Sequence, residues 1–219
     1  MKQELLYEYG QNEQGQIIKA KDAQKGKKYI CPGCKTDFIL RKSGKTGPGS
    51  RISHFAHNNL TGSCSFECYI HKTFILKTVE FLQERITNNQ PIELHWRCIY
   101  CKQMHKINLI GLSEVKAEYS LKQRKPDIAL FNKAGNVFAV IEVIYKHPPE
   151  KEALQFYRQH NIRVIQVIIT SDDDLDNIEQ KIKNPTSFDL CIKPILPQVP
   201  YFSFIPAIRM PKRRQRRRL

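Results

Sequence analysis

No part of this sequence is apolar for the ~20 residues that a bilayer-spanning helix needs, and stretches such as Val137–Ile144 fall far short. The opening residues MKQELLYEYG lack the basic-then-apolar layout of a secretory signal. A soluble, cytoplasmic protein with no membrane partner is therefore expected. Internal repeats are absent, and so are a nucleophile elbow and a Gly-rich dinucleotide fingerprint. Gly44-Lys45-Thr46 hints at a phosphate-binding loop, but Ile39 stands where that loop needs its first glycine. Acidic residues are scarce, at 21 against 36 Lys and Arg, which leaves a net charge of +15.

The positive surplus is concentrated at the two ends. Residues 1–58 carry +6, and Lys212, Arg213, Arg214, Arg216, Arg217 and Arg218 add six more, leaving +3 between them. Dense arginine suits bidentate contact with phosphate, and neutralising phosphates releases condensed counterions. The expected partner is nucleic acid, DNA ahead of RNA, with those six tail residues in contact with it. For the basic ends taken alone, an acidic protein or a membrane surface is the competing partner.

At 219 residues the chain has room for one ordinary domain and a small module, and 41% hydrophobic residues suffice for a packed core. Composition divides it into a module over 1–58, a main domain over 59–194, and an irregular, Pro-punctuated segment with the basic tail over 195–219. Short strands are expected at Gln16–Ala20, Lys27–Ile30 and Phe38–Arg41. Between Glu67 and Ile86 the apolar residues Ile70, Phe74, Ile75, Val79 and Leu82 recur at three- and four-residue spacing, as on an amphipathic helix. Strands are then expected at Ile92–Trp96, Lys106–Ile110, Val115–Leu121, Asp127–Phe131, Val137–Ile144 and Arg163–Ile169. Helices are expected at Pro149–Gln159 and Asp172–Lys183. That succession reads as an α+β or α/β mixed sheet with flanking helices.

Seven cysteines, an odd number, with four in Cys-x2-Cys pairs, suit zinc better than a disulfide framework. Cys31 and Cys34, followed by His54 and His57, supply the two close pairs that a tetrahedral zinc site takes. Cys64 or Cys68 can replace either histidine, which leaves the set open. Cys98 and Cys101 form the start of a second zinc site, with His105 nearby and Cys191 available to clip the later chain to the middle of the domain.

Four acids draw attention: Glu67 at the head of the first helix, Glu118 and Asp127 on strands, and Glu142 near the end of the most apolar strand. A carboxylate on a buried strand is costly unless it meets a metal or a basic partner. The hairpin-like turn at Asn132–Gly135 can bring Asp127 near Glu142, and two such oxygen donors suit Mg²⁺ or Mn²⁺. The competing structural reading has Asp127 capping a turn and Glu142 paired with a lysine.

Tyr29-Ile-Cys-Pro-Gly-Cys34, His54-Phe-Ala-His57, Glu67-x3-His71 with Lys77, Lys125-Pro-Asp127 and Ile141-Glu-Val143 together resemble the competence protein CoiA-like family, over roughly residues 20–170. The resemblance implies a zinc-ribbon-like segment ahead of a restriction-endonuclease-like core of the PD-(D/E)xK type. It also implies DNA processing in natural transformation, defence or mobile elements. By the same resemblance Asp127 and Glu142 hold the catalytic metal, with Glu67 and His71 beside them. The family pattern places Lys or Gln two residues after the second acid, where this chain has Ile144; Lys146 is the candidate substitute. The alternative is a non-catalytic nucleic-acid-binding subunit on the same fold.

Overall fold

A computed structural model describes residues 6–43, 52–58 and 64–192. Five antiparallel strands form the amino-terminal sheet: β1 (Tyr9–Asn12), β2 (Ile17–Lys19), β3 (Tyr29–Ile30), β4 (Asp37–Arg41) and β5 (His54–His57). Their order is β2-β1-β3-β4-β5. The polar stretch Tyr9-Gly-Gln-Asn is a strand that hydrophobic patterning misses. A Cβ on Gly10 would lie 3.0 Å from the Phe55 ring, so glycine permits this close crossing.

Helix α1 (Phe66–Thr87) follows, with the Ser65 hydroxyl accepting the Cys68 N–H at 3.0 Å as its N-cap. A two-stranded hairpin comes next, β6 (Ile92–Arg97) and β7 (Met104–Leu109). The central sheet has the order β12-β11-β10-β9-β8. Its strands are β8 (Leu112–Ala117), β9 (Ile128–Asn132), β10 (Val137–Ile144), β11 (Arg163–Ile168) and β12 (Ser187–Phe188). β8, β9 and β10 form an antiparallel meander, and α2 (Lys151–Gln159) carries the chain across to β11, parallel to β10.

Alternation along β10 distributes its side chains between two cores. Ala139, Ile141 and Val143 join the core containing Phe74 and Ile75 of α1, whereas Val140 packs with Tyr157 of α2. One cluster runs from Tyr7, Tyr29 and Phe55 through α1 to Ile165 and Phe188, so the apolar core is continuous across residue 58.

Two expected elements differ. The single helix over 172–183 is a 3-10 turn, Asp172–Asp176, followed by a short α3, Ile178–Lys183. Asp174 caps the start of the turn, its Oδ2 accepting the Thr170 N–H at 2.6 Å, and Asn177, at φ −117°, separates the turn from α3. The strand expected over Val115–Leu121 runs instead from Leu112 to Ala117, and ends where Glu118 takes a left-handed backbone, φ 48°. No helix among the described residues is long and apolar enough to cross a membrane. Lys212, Arg213, Arg214, Arg216, Arg217 and Arg218 lie outside the described residues.

Candidate functional site

Both Cys-x2-Cys segments fold into the same knuckle. The Cys31 N–H donates to the Thr36 carbonyl at 2.8 Å and Lys35 N–H to the Cys31 carbonyl at 2.9 Å. The Cys98 N–H donates to the Gln103 carbonyl at 2.9 Å and Lys102 N–H to the Cys98 carbonyl at 3.0 Å. Lys35 and Lys102 take the left-handed step, at φ 62° and 61°. Backbone N–H groups also aim at the sulfurs at matching places: Gly33 and Cys34 at Cys31, Tyr100 and Cys101 at Cys98, Thr36 at Cys34, Gln103 at Cys101. A turn that points donors at both sulfurs favours thiolates, the form that binds metal, although at Cys31 burial outweighs those donors and pushes the thiol up.

Around the first knuckle, ligand atoms of Cys31, Cys34, His57 and Cys64 all lie within 4.8 Å of one another. Around the second, Cys98, Cys101, His105 and Cys191 do the same. Each is a Cys3His set, and both can bind zinc.

The chemistry of the first set fits an ion. His57 Nδ1 is 3.0 Å from Thr36 Oγ1, which is itself 3.0 Å from Cys34 Sγ. His57 Nε2 is buried without a hydrogen-bond partner, and burial holds the imidazole below its ordinary pKa. A neutral ring with Nδ1 held and Nε2 unpaired is the form that ligates zinc, oriented by its second hydrogen bond. Burial raises the Cys64 thiol to about 11, whereas at Cys34 burial is outweighed by the Thr36 hydroxyl and N–H, which lower it.

His54, expected as a ligand, is not in this set. His54 and His57 are both on β5, and three residues along a strand places two side chains on opposite faces. His54 Nδ1 meets the Ile52 carbonyl at 2.9 Å and its Nε2 is also buried without a hydrogen-bond partner, but it lies outside the set of atoms within 4.8 Å of one another. Cys64 takes the fourth position, directly before the α1 N-cap, so the set joins the amino-terminal sheet to α1.

In the second set, the knuckle is the turn of the β6–β7 hairpin, and His105 Nε2 is 3.0 Å from Cys101 Sγ. Cys191 arrives just past β12, where Trp96 Nε1 donates to the Leu190 carbonyl at 3.1 Å. Cys191 thus lies within reach of the hairpin knuckle, where an ion bound to the set would clip the later chain to it. His105 completes the set on the same strand that follows the knuckle.

The acidic residues converge where α1 crosses the ends of β9 and β10. Asp127, one residue ahead of β9, accepts the Val143 N–H at 2.8 Å through Oδ2. His71 Nε2 lies 2.9 Å from the Val143 carbonyl and 3.3 Å from the same Asp127 oxygen. Burial alone would lower the His71 pKa, yet Asp127 and the Val143 carbonyl raise it above the usual value. Glu142 faces α2, and Tyr157 donates its hydroxyl to Glu142 Oε1 at 2.7 Å. Burial, reinforced by the negative charge of Asp127, raises Glu142 to about 7, against the opposing pull of Tyr157. Among the described residues these groups do not form a third metal set of the cysteine kind.

Lys146 lies in the bend beyond β10, where the face alternation of the strand no longer applies, and its Nζ is 3.1 Å from Glu67 on α1. Lys77 is directed elsewhere, 3.8 Å over the Tyr9 ring. Among the cations around Asp127, Lys72 was not foreseen. Lys72 of α1 and Lys125 both pair with Glu118, and the charge of Asp127 acts on Lys72. Tyr157 was also missed, since nothing in its local sequence marks it; only the packing of α2 on β10 brings it to Glu142.

No family model matches the sequence, and no curated protein and no solved structure shows a significant match to it.

Proposed function

We propose that this protein is a metal-dependent nuclease with a restriction-endonuclease-like core, hydrolysing phosphodiesters in DNA ahead of RNA. On the resemblance to CoiA-like proteins, it would act in DNA uptake, defence or mobile-element processing, and a cytoplasmic location belongs to the same reading. The observation that carries the reading is the meeting of Asp127 and Glu142 from adjacent antiparallel strands, close enough for the charge of one to raise the pKa of the other. Although His71 and the Val143 N–H partner Asp127 and Tyr157 partners Glu142, Glu142 is still held toward its protonated form, and a divalent cation would favour the ionised pair. Asp127 and Glu142 would hold Mg²⁺ or Mn²⁺, which when bound lowers the pKa of water and neutralises charge on phosphate.

The chain's own residues then have distinct tasks. His71 fixes the Asp127 carboxylate against the end of β10, and Tyr157 fixes Glu142. Lys72 and Lys125, beside Asp127, supply positive charge for the substrate backbone, and Glu67 holds Lys146 at the rim. The zinc sets are structural, tying α1 and the segment after β12 to the rest. The test is incubation with labelled single- and double-stranded DNA and RNA in Mg²⁺ or Mn²⁺. Asp127→Ala or Glu142→Ala abolishes cleavage while binding persists; unchanged cleavage in both variants overturns the reading.

A second reading is a non-catalytic nucleic-acid-binding or assembly subunit, favoured by Ile144 where a lysine is expected and by the Tyr157 hydroxyl already bound to Glu142. It predicts binding without cleavage in any metal. On either reading, removal of Lys212–Arg218 lowers the salt slope of duplex binding, by up to about 5 if all six charges meet phosphate.

A further inference from the structure

The two knuckles share a backbone but not a surface. In the first, the residues between the cysteines are Pro32, which is buried, and Gly33, which packs against Tyr69 of α1. In the second, the same places hold Ile99 and Tyr100, 46% and 47% exposed, with Met104 at 67% just beyond. One knuckle is docked on a helix; the other presents an aromatic ring and an aliphatic chain to solvent. The turn beneath them is held by its own hydrogen bonds and by Arg97, whose Nε donates to the Lys102 carbonyl at 3.2 Å.

Positive charge surrounds this tip. Arg97 and Lys102 are exposed on the hairpin. Arg158 of α2 lines the same groove as Ile99, and Arg163, at the start of β11, adjoins Val164, whose carbonyl accepts the Asp189 N–H at 3.0 Å. The acid in this cluster is Asp189, with Arg158 Nε 3.9 Å from it. A groove of about 200 Å³ runs beside the tip, lined by Ile99, Leu154, Arg158, Gln166, Phe188 and Asp189.

We propose that this knuckle and groove bind single-stranded nucleic acid, an unpaired base stacking on Tyr100 while Arg158, Arg163 and Lys102 meet phosphates. Stacking on an exposed aromatic needs a base whose face is free, which a duplex does not offer, and flanking cations supply the backbone contact. An apolar protein partner would use Ile99 and Met104 but has no need of the surrounding cations. The site goes beyond the nuclease reading and does not depend on it, since neither Asp127 nor Glu142 takes part.

The test is fluorescence anisotropy of the full zinc-loaded chain with labelled oligo(dT), oligo(U) and a duplex, without Mg²⁺, so that cleavage has no bearing on the result. Tyr100→Ala weakens single-strand binding roughly 5- to 150-fold, Tyr100→Phe retains it, and duplex affinity does not change. Arg158→Ala/Arg163→Ala, remote from the zinc ligands in sequence, lowers the salt slope for single strands by about 1.4. Zinc content is measured for each variant; should Tyr100→Ala lose metal, the arginine pair decides the matter. Single-strand affinity equal to wild type in both variants overturns the proposal. So does a loss that Tyr100→Phe shares, or capture of an apolar peptide at the tip without salt dependence.

Discussion

Gly33 and Tyr69 meet backbone to backbone: a Cβ on Gly33 would lie 3.1 Å from both the Cα and the N of Tyr69. The first knuckle therefore rests directly on the first turns of α1, two residues before His71. Neither chain can yield by rotating a side chain. Gly33→Ala is expected to cost about 1–3 kcal/mol, as overpacking does, measured by urea unfolding. Full wild-type stability would mean that α1 does not seat on the knuckle.

Zinc stoichiometry separates the ligand sets. Purified protein is expected to carry two zinc ions per chain, assayed with a chromogenic chelator after denaturation. Cys64→Ser or His57→Ala leaves one, as does Cys191→Ser at the other set, whereas His54→Ala retains both. Loss of an ion in His54→Ala would restore the histidine pair as ligands and displace Cys64.

Glu142 makes stability depend on pH with a definite sign. Its carboxyl is raised from 4.5 to about 7 by burial and by Asp127, so the folded state favours the protonated form. That contribution is complete below about pH 4.5 and is lost as pH rises through about 7, a change of roughly 3 kcal/mol. Glu142→Gln stays neutral throughout. Relative to wild type it is expected to gain stability between pH 5 and 8 in urea unfolding, while losing cleavage on the nuclease reading. A constant difference between the two proteins across that range would refute the assignment.

Tyr157 tunes the same group. Its hydroxyl favours the ionised carboxylate, so Tyr157→Phe raises the Glu142 pKa further above 7. If cleavage needs ionised Glu142, the acid limb of the pH–rate profile moves to higher pH, while zinc content stays at two. An unmoved limb would show that Glu142 does not titrate in the active form.

Local chemistry made much of this protein legible from residues alone. Both copies of the Cys-x2-Cys spacing fold into the same turn here despite sharing no residue between their cysteines. The apolar run Val137–Ile144 is a buried strand, and Asn132, whose Oδ1 accepts the Ala134 and Asn136 N–H groups at 3.0 Å, makes the turn that brings Asp127 back toward Glu142. Partners distant in sequence were settled only by the assembled chain. His57 rather than His54 faces the first metal set because β5 is a strand, a matter of backbone pleat that the spacing His-x2-His does not reveal. Cys64, Cys191 and Tyr157 reach their partners because helix and sheet packing places them there, and Lys146 goes to Glu67 because β10 ends at Ile144. Sequence spacing governs contacts within a turn or along a strand; which turns and strands meet is decided by burial of the shared apolar core.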